Sequence, residues 1–365
     1  MDWTRIRCRR ALELLTMKGL LAAAALPLLS PSSPPNDVVT QDLLQSREAS
    51  EVSAWRPVLD GVMGGQSTGT VTAVEGAARF EGRVSLENNG GFASFRLDGR
   101  LPDLSAWAGL RLRVRGDGQV YKLSLRLDDA WDGVSWQAPF ATTDGAWTTV
   151  EIPFDELVPS WRGRLVPQAG PFDPARILQI GVVIADKQAG GFRLDLASVG
   201  AWRPDPEEAA QPGSRAAAHA RTRALQRLLD GGAGAAELAR ALESDERVFA
   251  IATPDALDAQ SSRQAGQLLA RAGGLADREL RLIHLMGERS GRLAGRQLTP
   301  EQVRGLRERW ELPAGEWTAA LIGVDGGVKA RWAAPVEVDA AFGRVDAMPM
   351  RQREVDERGA NRRSL

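Results

Sequence analysis

Between Trp55 and Trp202 the chain never sustains an apolar repeat of helical period. It runs instead as short alternating stretches cut by Gly, Asp, Asn and Pro. A segment that cannot form long helices must bury its apolar side chains on strands, and many short strands pack as an antiparallel sandwich. The expected strands are 80–86, 92–97, 110–115, 120–127, 147–152, 177–184 and 192–199. Asp117-Gly118 reads as a two-residue hairpin turn. Folding about it would pair Val114 with Tyr121, Leu112 with Leu123 and Leu110 with Leu125, all on one face. The other face would then carry Arg111, Arg113, Arg115, Lys122 and Arg126, with Arg113 opposite Lys122. Like charges across a strand pair repel. Acids on neighbouring strands, such as Glu151 or Asp195, would compensate; alternatively the face is a basic ligand-binding surface that includes Arg113, Arg115 and Lys122, or the charges are simply solvated.

The texture changes after residue 203. Pro204, Pro206 and Pro212 mark a linker over 204–246 that carries short helices at 216–229, stopped by Gly231-Gly232, and at 235–242. From 247 to 355 the order is strand, helix, strand, helix, strand, strand, helix, which is an α/β pattern. Thr299-Pro300-Glu301-Gln302 opens one of these helices as a capping box with Pro at the first helical position. The sequence thus divides into a β-sandwich over 50–203, the linker, an α/β domain over 247–355 and a loose tail over 356–365.

Composition limits the chemistry. Of 365 residues, one is Cys (Cys8) and two are His (His219 and His284), so disulfides, thiolate chemistry and His-rich metal sites have almost no material. A net charge of -1 gives no overall pull toward nucleic acid. Arg5, Arg7, Arg9 and Arg10 precede an apolar run at 19–29, too short for a membrane span and suited to an export signal. The expectation is a signal peptide near 1–32 with a flexible exit to 36, Met17 being an alternative start. The mature chain is then exported, periplasmic or secreted, with no stable membrane span.

Several residues are candidate ligand contacts. The Gly-rich loop with Asp60, Gly61, Met63, Gly64, Gly65 and Ser67 could cradle an anion on its backbone amides; the plainer alternative is a tight inter-strand loop with Met63 plugging the sandwich edge. Asn88 and Asn89 form a turn by composition and would serve a ligand if they lie near Asp60. Asp128, Asp129 and Asp132 offer hard oxygen donors for a metal in a loose spacing, and Trp131 and Trp136 an aromatic platform for a sugar. Met348, Met350 and Arg351 are a candidate partner-facing segment, since Met adapts to varied surfaces. No residue is assigned a catalytic role and no cofactor is expected.

Read together, Asp60-Gly61-Val62-Met63-Gly64-Gly65-Gln66-Ser67, Phe80-Glu81-Gly82, Glu87-Asn88-Asn89-Gly90-Gly91-Phe92-Ala93-Ser94, Arg115-Gly116-Asp117-Gly118, Tyr121-Lys122, Trp147, Ile152-Pro153-Phe154, Arg162-Gly163-Arg164 and Asp186-Lys187-Gln188 resemble the complex I intermediate-associated protein family. The resemblance implies a jelly-roll sandwich of the galactose-binding-like class and a role in assembling respiratory complex I. Arg247-Val248-Phe249, Asp277-Arg278-Glu279-Leu280, residues 321–329 and Asp346-Ala347-Met348-Pro349-Met350-Arg351 resemble a bacterial domain family of unknown function with a thioredoxin-like layout. Where a thioredoxin would carry Cys-x-x-Cys, this chain has Ala252-Thr253-Pro254-Asp255, which cannot exchange dithiols. The expected function is a non-enzymatic binding or assembly factor with a protein partner. A carbohydrate-binding module with a glycan ligand is the first alternative, and a hydrolase using paired carboxylates in a sandwich cleft the second.

Overall fold

The computed structural model describes residues 38–46, 48–130, 132–205, 207, 211–254 and 259–363. The expected signal segment, with Cys8 and Met17, lies outside them, as do Trp131 and Asp255. In chain order the first part contains β1 (Val38–Gln45), α1 (Ala49–Ser53), β2 (Arg56–Leu59), β3 (Thr68–Val74), β4 (Ala77–Val84), β5 (Ala93–Asp98), β6 (Gly109–Arg115), β7 (Val120–Arg126), β8 (Ser135–Ala141), β9 (Trp147–Pro153), β10 (Val158–Trp161), β11 (Arg164–Leu165), β12 (Gln179–Ile184) and β13 (Gly190–Pro204). There follow α2 (Arg215–Asp230), α3 (Ala235–Asp245), β14 (Arg247–Thr253), α4 (Ala259–Leu269), α5 (Ala272–Asp277), β15 (Leu280–Met286), β16 (Ser290–Leu293), β17 (Arg296–Gln297), α6 (Pro300–Arg309), β18 (Thr318–Ile322), β19 (Val328–Trp332), α7 (Val338–Asp346) and α8 (Pro349–Arg363).

The first part is an all-β sandwich. One sheet has the order β3-β4-β13-β6-β9, with β1 also on β13; the other runs β11-β10-β8-β7-β12-β5-β2. Every pairing in both is antiparallel. The core lies between them, with Phe80, Phe95, Leu112, Leu123 and Phe140 fully buried. Phe80 touches both Phe95 and Phe192, at ring separations of 4.9 and 4.7 Å. Each such side chain removed from water contributes about 1.5–3 kcal/mol.

The Asp117-Gly118 hairpin is corrected. β6 pairs with β13 and β9, whereas β7 pairs with β12 and β8. The turn carries the chain from one sheet to the other. Asp117 fixes it by accepting hydrogen bonds from Gln119 N, Tyr121 Oη and Arg193 N at 2.8–3.1 Å, and Gly118 supplies a φ of +83°. Leu110, Leu112 and Val114 therefore lie in the opposite sheet from Tyr121, Leu123 and Leu125, and all six fill the sandwich core.

The second part has a mixed sheet, β17-β16-β15-β14-β18-β19, in which β14 and β15 are parallel and the other neighbours antiparallel. The capping box forms: Thr299 Oγ1 accepts from Gln302 N at 3.2 Å, and Gln302 Oε1 from Thr299 N at 2.7 Å. The segment expected as a linker is instead core. Leu225 of α2 and Leu238 and Leu242 of α3 are buried with Val248 and Ala250 of β14 and with Trp310. The expected loose tail is also corrected, because α8 runs to Arg363. Long-range ion pairs hold it: buried Arg247 bonds Glu354 at 2.6 Å, and Arg351 and Arg358 both reach Asp277.

The two parts pack directly against each other. Helix α4 lies on β8, and a Cβ on Gly266 would meet the backbone of Phe140 and Ala141 at 3.3 Å. Arg292 Nη2 donates to the Leu157 carbonyl at 3.0 Å, and Arg215 pairs with Glu151. A Gly266→Leu substitution drives a side chain into the β8 backbone. The expected cost is about 1–3 kcal/mol, read as a lower denaturation midpoint and faster amide exchange in both α4 and β8. Full stability in that variant would mean that the helix does not rest on the sheet.

Candidate functional site

Asp60 directly follows β2 and opens a single 3-10 turn through Met63. Its carboxylate is fully buried. Oδ1 accepts from Ser67 N at 2.9 Å; Oδ2 accepts from Ser67 Oγ at 2.6 Å, from Gly91 N at 2.7 Å and from Phe92 N at 3.3 Å. One side chain thus ties together two loops that are 31 residues apart in sequence. Two glycines make room for it: a Cβ on Gly65 would lie 2.4 Å from Asp60 Cγ, and one on Gly90 2.7 Å from Oδ2. Burial pushes the Asp60 carboxyl up, but the bonds from Ser67, Gly91 and Phe92 outweigh it and hold it below the usual carboxylate range.

This geometry revises the anion-cradle reading. The amides of Ser67, Gly91 and Phe92 are already used by an anion that belongs to the chain. The segment is a tight inter-strand loop, yet Met63 does not plug the sandwich. Met63 is 48% exposed, Val62 60% and Leu86 45%, so the tied loops turn apolar side chains outward. Asn88 and Asn89 do lie beside Asp60, exposed, with left-handed φ of 53° and 59°.

The other candidates do not join this cluster. Arg113 and Arg115 lie on the outer face of the β6 sheet, whereas Lys122 lies on that of the β7 sheet, so one basic surface combining the three does not exist. The expected acids do compensate: Arg115 and Arg79 both bond Asp195 at 2.7 Å, Arg111 lies 3.9 Å from Glu151, and Lys122 bonds Asp186 at 2.6 Å. Trp136 is a core side chain, edge-on to Phe172 at 5.6 Å, and no sugar platform. Asp128 lies 3.7 Å from Arg126, and Asp132 bonds Arg162 at 2.5 Å. No group of three metal-binding side chains occurs among the described residues, so the loose Asp128, Asp129 and Asp132 spacing does not converge. Met348 packs on the cluster of Phe249, Ile251 and Phe342, Arg351 is buried on Asp277, and of these three candidates Met350 alone is exposed.

A second feature was not legible in the sequence. A cavity of about 40 Å³ lies where the sandwich meets the mixed sheet, lined by Lys122, Glu156, Thr253, Ser262, His284 and Met286 among others. Burial, reinforced by Asp155, pushes the Glu156 carboxyl up to about 8; Arg281 and Arg292 pull the other way. Burial, with Arg292 adding to it, pulls His284 down to about 4. Groups whose environments drive their pKa values apart can mark acid–base sites. Here the space is that of a water or two, and among the described residues a single carboxylate lines it, so the described lining does not form the paired-carboxylate cleft that a hydrolase would need.

The architecture is therefore a β-sandwich with rigidly tied, apolar-tipped loops, packed on a mixed α/β unit. Residues 44–196 match the family model of Complex I intermediate-associated protein 30 (CIA30), and residues 238–354 match a domain of unknown function, DUF4174. The "Probable complex I intermediate-associated protein 30, mitochondrial" of Caenorhabditis elegans is 30% identical over 152 residues, covering 36% of this chain and 44% of that protein. The Mus musculus "Complex I intermediate-associated protein 30, mitochondrial" is 34% identical over 104 residues, covering 27% and 32%. The Neurospora crassa protein of the same name is 29% identical over 135 residues, covering 32% and 48%. The chain spans less than half the length of these relatives. Among solved structures, the family 11 carbohydrate-binding module of a Clostridium thermocellum cellulosomal cellulase aligns at 15% identity with a TM-score of 0.36, covering 46% of this chain and 95% of the module.

The relatives correct the expected export. They are named mitochondrial, not periplasmic or secreted. An arginine-rich start is shared by export signals and mitochondrial transit segments, so its composition did not separate them.

Proposed function

We propose that this chain is a non-enzymatic assembly factor that binds protein, with Val62, Met63 and Leu86 as contact residues on loops pre-ordered by Asp60. The carrying observation is the buried Asp60 carboxylate beneath exposed apolar tips. Loops already fixed in shape lose little entropy on binding, and clustered exposed apolar side chains are characteristic of partner surfaces. The names of the relatives support complex I intermediates as the partner. The order of β14, α4, β15, β18 and β19 supports a thioredoxin-like layout for the second unit. With Cys8 as the sole cysteine of the chain, that unit serves as a packing and contact domain and not as a dithiol enzyme.

The test is affinity capture of the full chain from detergent-solubilised respiratory membranes. Complex I subunits are expected with the parent chain. A Val62→Asp, Met63→Asp double variant is expected to recover at least about tenfold less, equivalent to 1.4 kcal/mol, with an unchanged melting curve because both side chains are exposed. Failure to recover those subunits, together with saturable glucan binding, would replace this reading with the carbohydrate-binding one.

A further inference from the structure

We propose that the outer face of the β3-β4-β13-β6-β9 sheet docks an acidic, extended segment of a partner protein. This rests on the protein-binding reading above and adds the chemistry of the partner. Along these strands Phe80, Leu112, Val114, Leu194 and Leu196 point into the core. Side chains alternate on a strand, so Arg79 and Arg83 of β4, Arg193 of β13, and Arg111, Arg113 and Arg115 of β6 project outward. The acids on the same face are Glu81, Asp195, Glu151 and, on the adjoining β1, Asp42, which shares a row with Gly200 and Arg111. Asp195 is buried and held by Arg79 and Arg115; Glu151 is shared by Arg111 and Arg215.

Arg83, Arg113 and Arg193 are left over. All three are exposed, and none forms an ion pair among the described residues. Arg113 lies over the Trp147 ring at 5.4 Å, and Arg115 over the same ring at 4.8 Å. In a chain of net charge -1, a sheet face with six arginines against four acids is a local concentration of charge. Like charges on neighbouring strands repel, and the fold gains nothing from keeping them unpaired. The register makes Arg83 and Arg193 diagonal neighbours, since Gly191 faces Arg83 and Arg193 faces Glu81. Diagonal neighbours lie about 7–8 Å apart, close to the ~6.8 Å between alternate side chains of an extended chain. Carboxylates at alternate positions of a strand-like segment therefore match them, and guanidinium groups bind carboxylates through paired hydrogen bonds.

Two further observations favour a polypeptide over an anionic membrane. Glu81 is exposed between the arginines of β4, so the face is patterned, and a uniform anionic surface would meet repulsion there. Among the described residues, none of the exposed large apolar side chains lies on this face to anchor it in lipid. The face is also continuous with the tied loops. Thr68, which pairs with Arg83, follows Ser67 directly, and Ser67 Oγ accepts from Ser85 N at 3.0 Å.

The probe is a fluorescently labelled Glu-Ser repeat peptide, followed by anisotropy with the full chain at low and high salt. Binding is expected to weaken as salt screens the charges. Arg83→Gln, Arg113→Gln and Arg193→Gln together are expected to weaken it at least tenfold. An Arg263→Gln, Arg304→Gln, Arg344→Gln control, equal in charge but on the α/β unit, is expected to leave it unchanged. Melting curves of both variants should match the parent, since Arg83, Arg113 and Arg193 are exposed and form no ion pair among the described residues. Equal loss in both variants, no loss in the sheet variant, or binding to phosphatidylglycerol vesicles with none to the peptide would each overturn the proposal. The Val62→Asp, Met63→Asp variant separates the two claims. It should keep peptide binding while losing complex I capture; capture that persists when the peptide does not bind refutes the docking face alone.

Discussion

Replacing Asp60 by Ala is expected to lower stability by about 3–5 kcal/mol, the range for stripping a buried, fully bonded charge from its partners. The backbone N–H groups of Ser67, Gly91 and Phe92 and the Ser67 hydroxyl would lose their acceptor together. Ser67→Ala removes one donor and leaves the carboxylate three, so about 1 kcal/mol is expected there. Denaturant midpoints give both values. Exchange of the Gly91 and Phe92 amides gives the mechanism, because both should open far more in the Asp60 variant than amides of β13. The pH dependence follows from the depressed carboxyl. Its contribution is present above the unfolded pKa of about 3.9 and is lost as pH falls through the lower folded value, so the gap between parent and variant should close in acid. A cost under about 1 kcal/mol, with both amides still protected, would show that Asp60 does not tie the loops.

That hub was half legible in the sequence. Asp60, the glycines around it and the Asn88-Asn89 turn all stand out, and their proximity was posed as a condition. What could not be read is that the loop's own carboxylate fills the place of an external anion, because the bond to Gly91 depends on how the strands between them fold. The Asp117-Gly118 turn shows a related limit. Alternating apolar residues on both sides of a turn fit a paired hairpin and equally fit two strands facing each other across a core, since both put the same side chains inward. Periodicity fixes which residues are buried, not which sheet they join. Local signals fared better: the Thr299 capping box and the Gly231 stop of α2 depend on neighbours within a few residues. Helix α8 carries little apolar pattern, and its order comes from Arg247, Arg351 and Arg358 meeting acids remote in sequence or three residues away. Asp195 as the counter-charge to Arg115 was legible because charge balance demands an acid and few were within strand reach.

Replacing Glu156 by Gln is expected to stabilise the chain, by an amount that grows with pH. Burial between the two units, with Asp155 beside it, raises its carboxyl to about 8, against about 4.3 when unfolded. Between those values the folded chain holds a proton that the unfolded chain has released. Stability therefore falls as pH rises through this window and levels off above it. The glutamine keeps the shape of the protonated acid and has no proton to lose. The variant should match the parent near pH 4 and exceed it by about 3–5 kcal/mol above pH 8, at 1.36 kcal/mol for each unit of displacement. His284 in the same cavity acts in the opposite sense. Its folded value of about 4 lies below the unfolded 6.5, so stability lost to its protonation is recovered as pH rises from 4 to 6.5. In the parent the two slopes offset each other up to about 6.5, and a decline remains from there to 8. In Glu156→Gln only the rise should remain. Denaturation midpoints of both proteins from pH 4 to 9 decide the matter. Parallel curves would mean that Glu156 is ionised and solvated at neutral pH, and that the seam between sandwich and mixed sheet is wetter than the cavity around it allows.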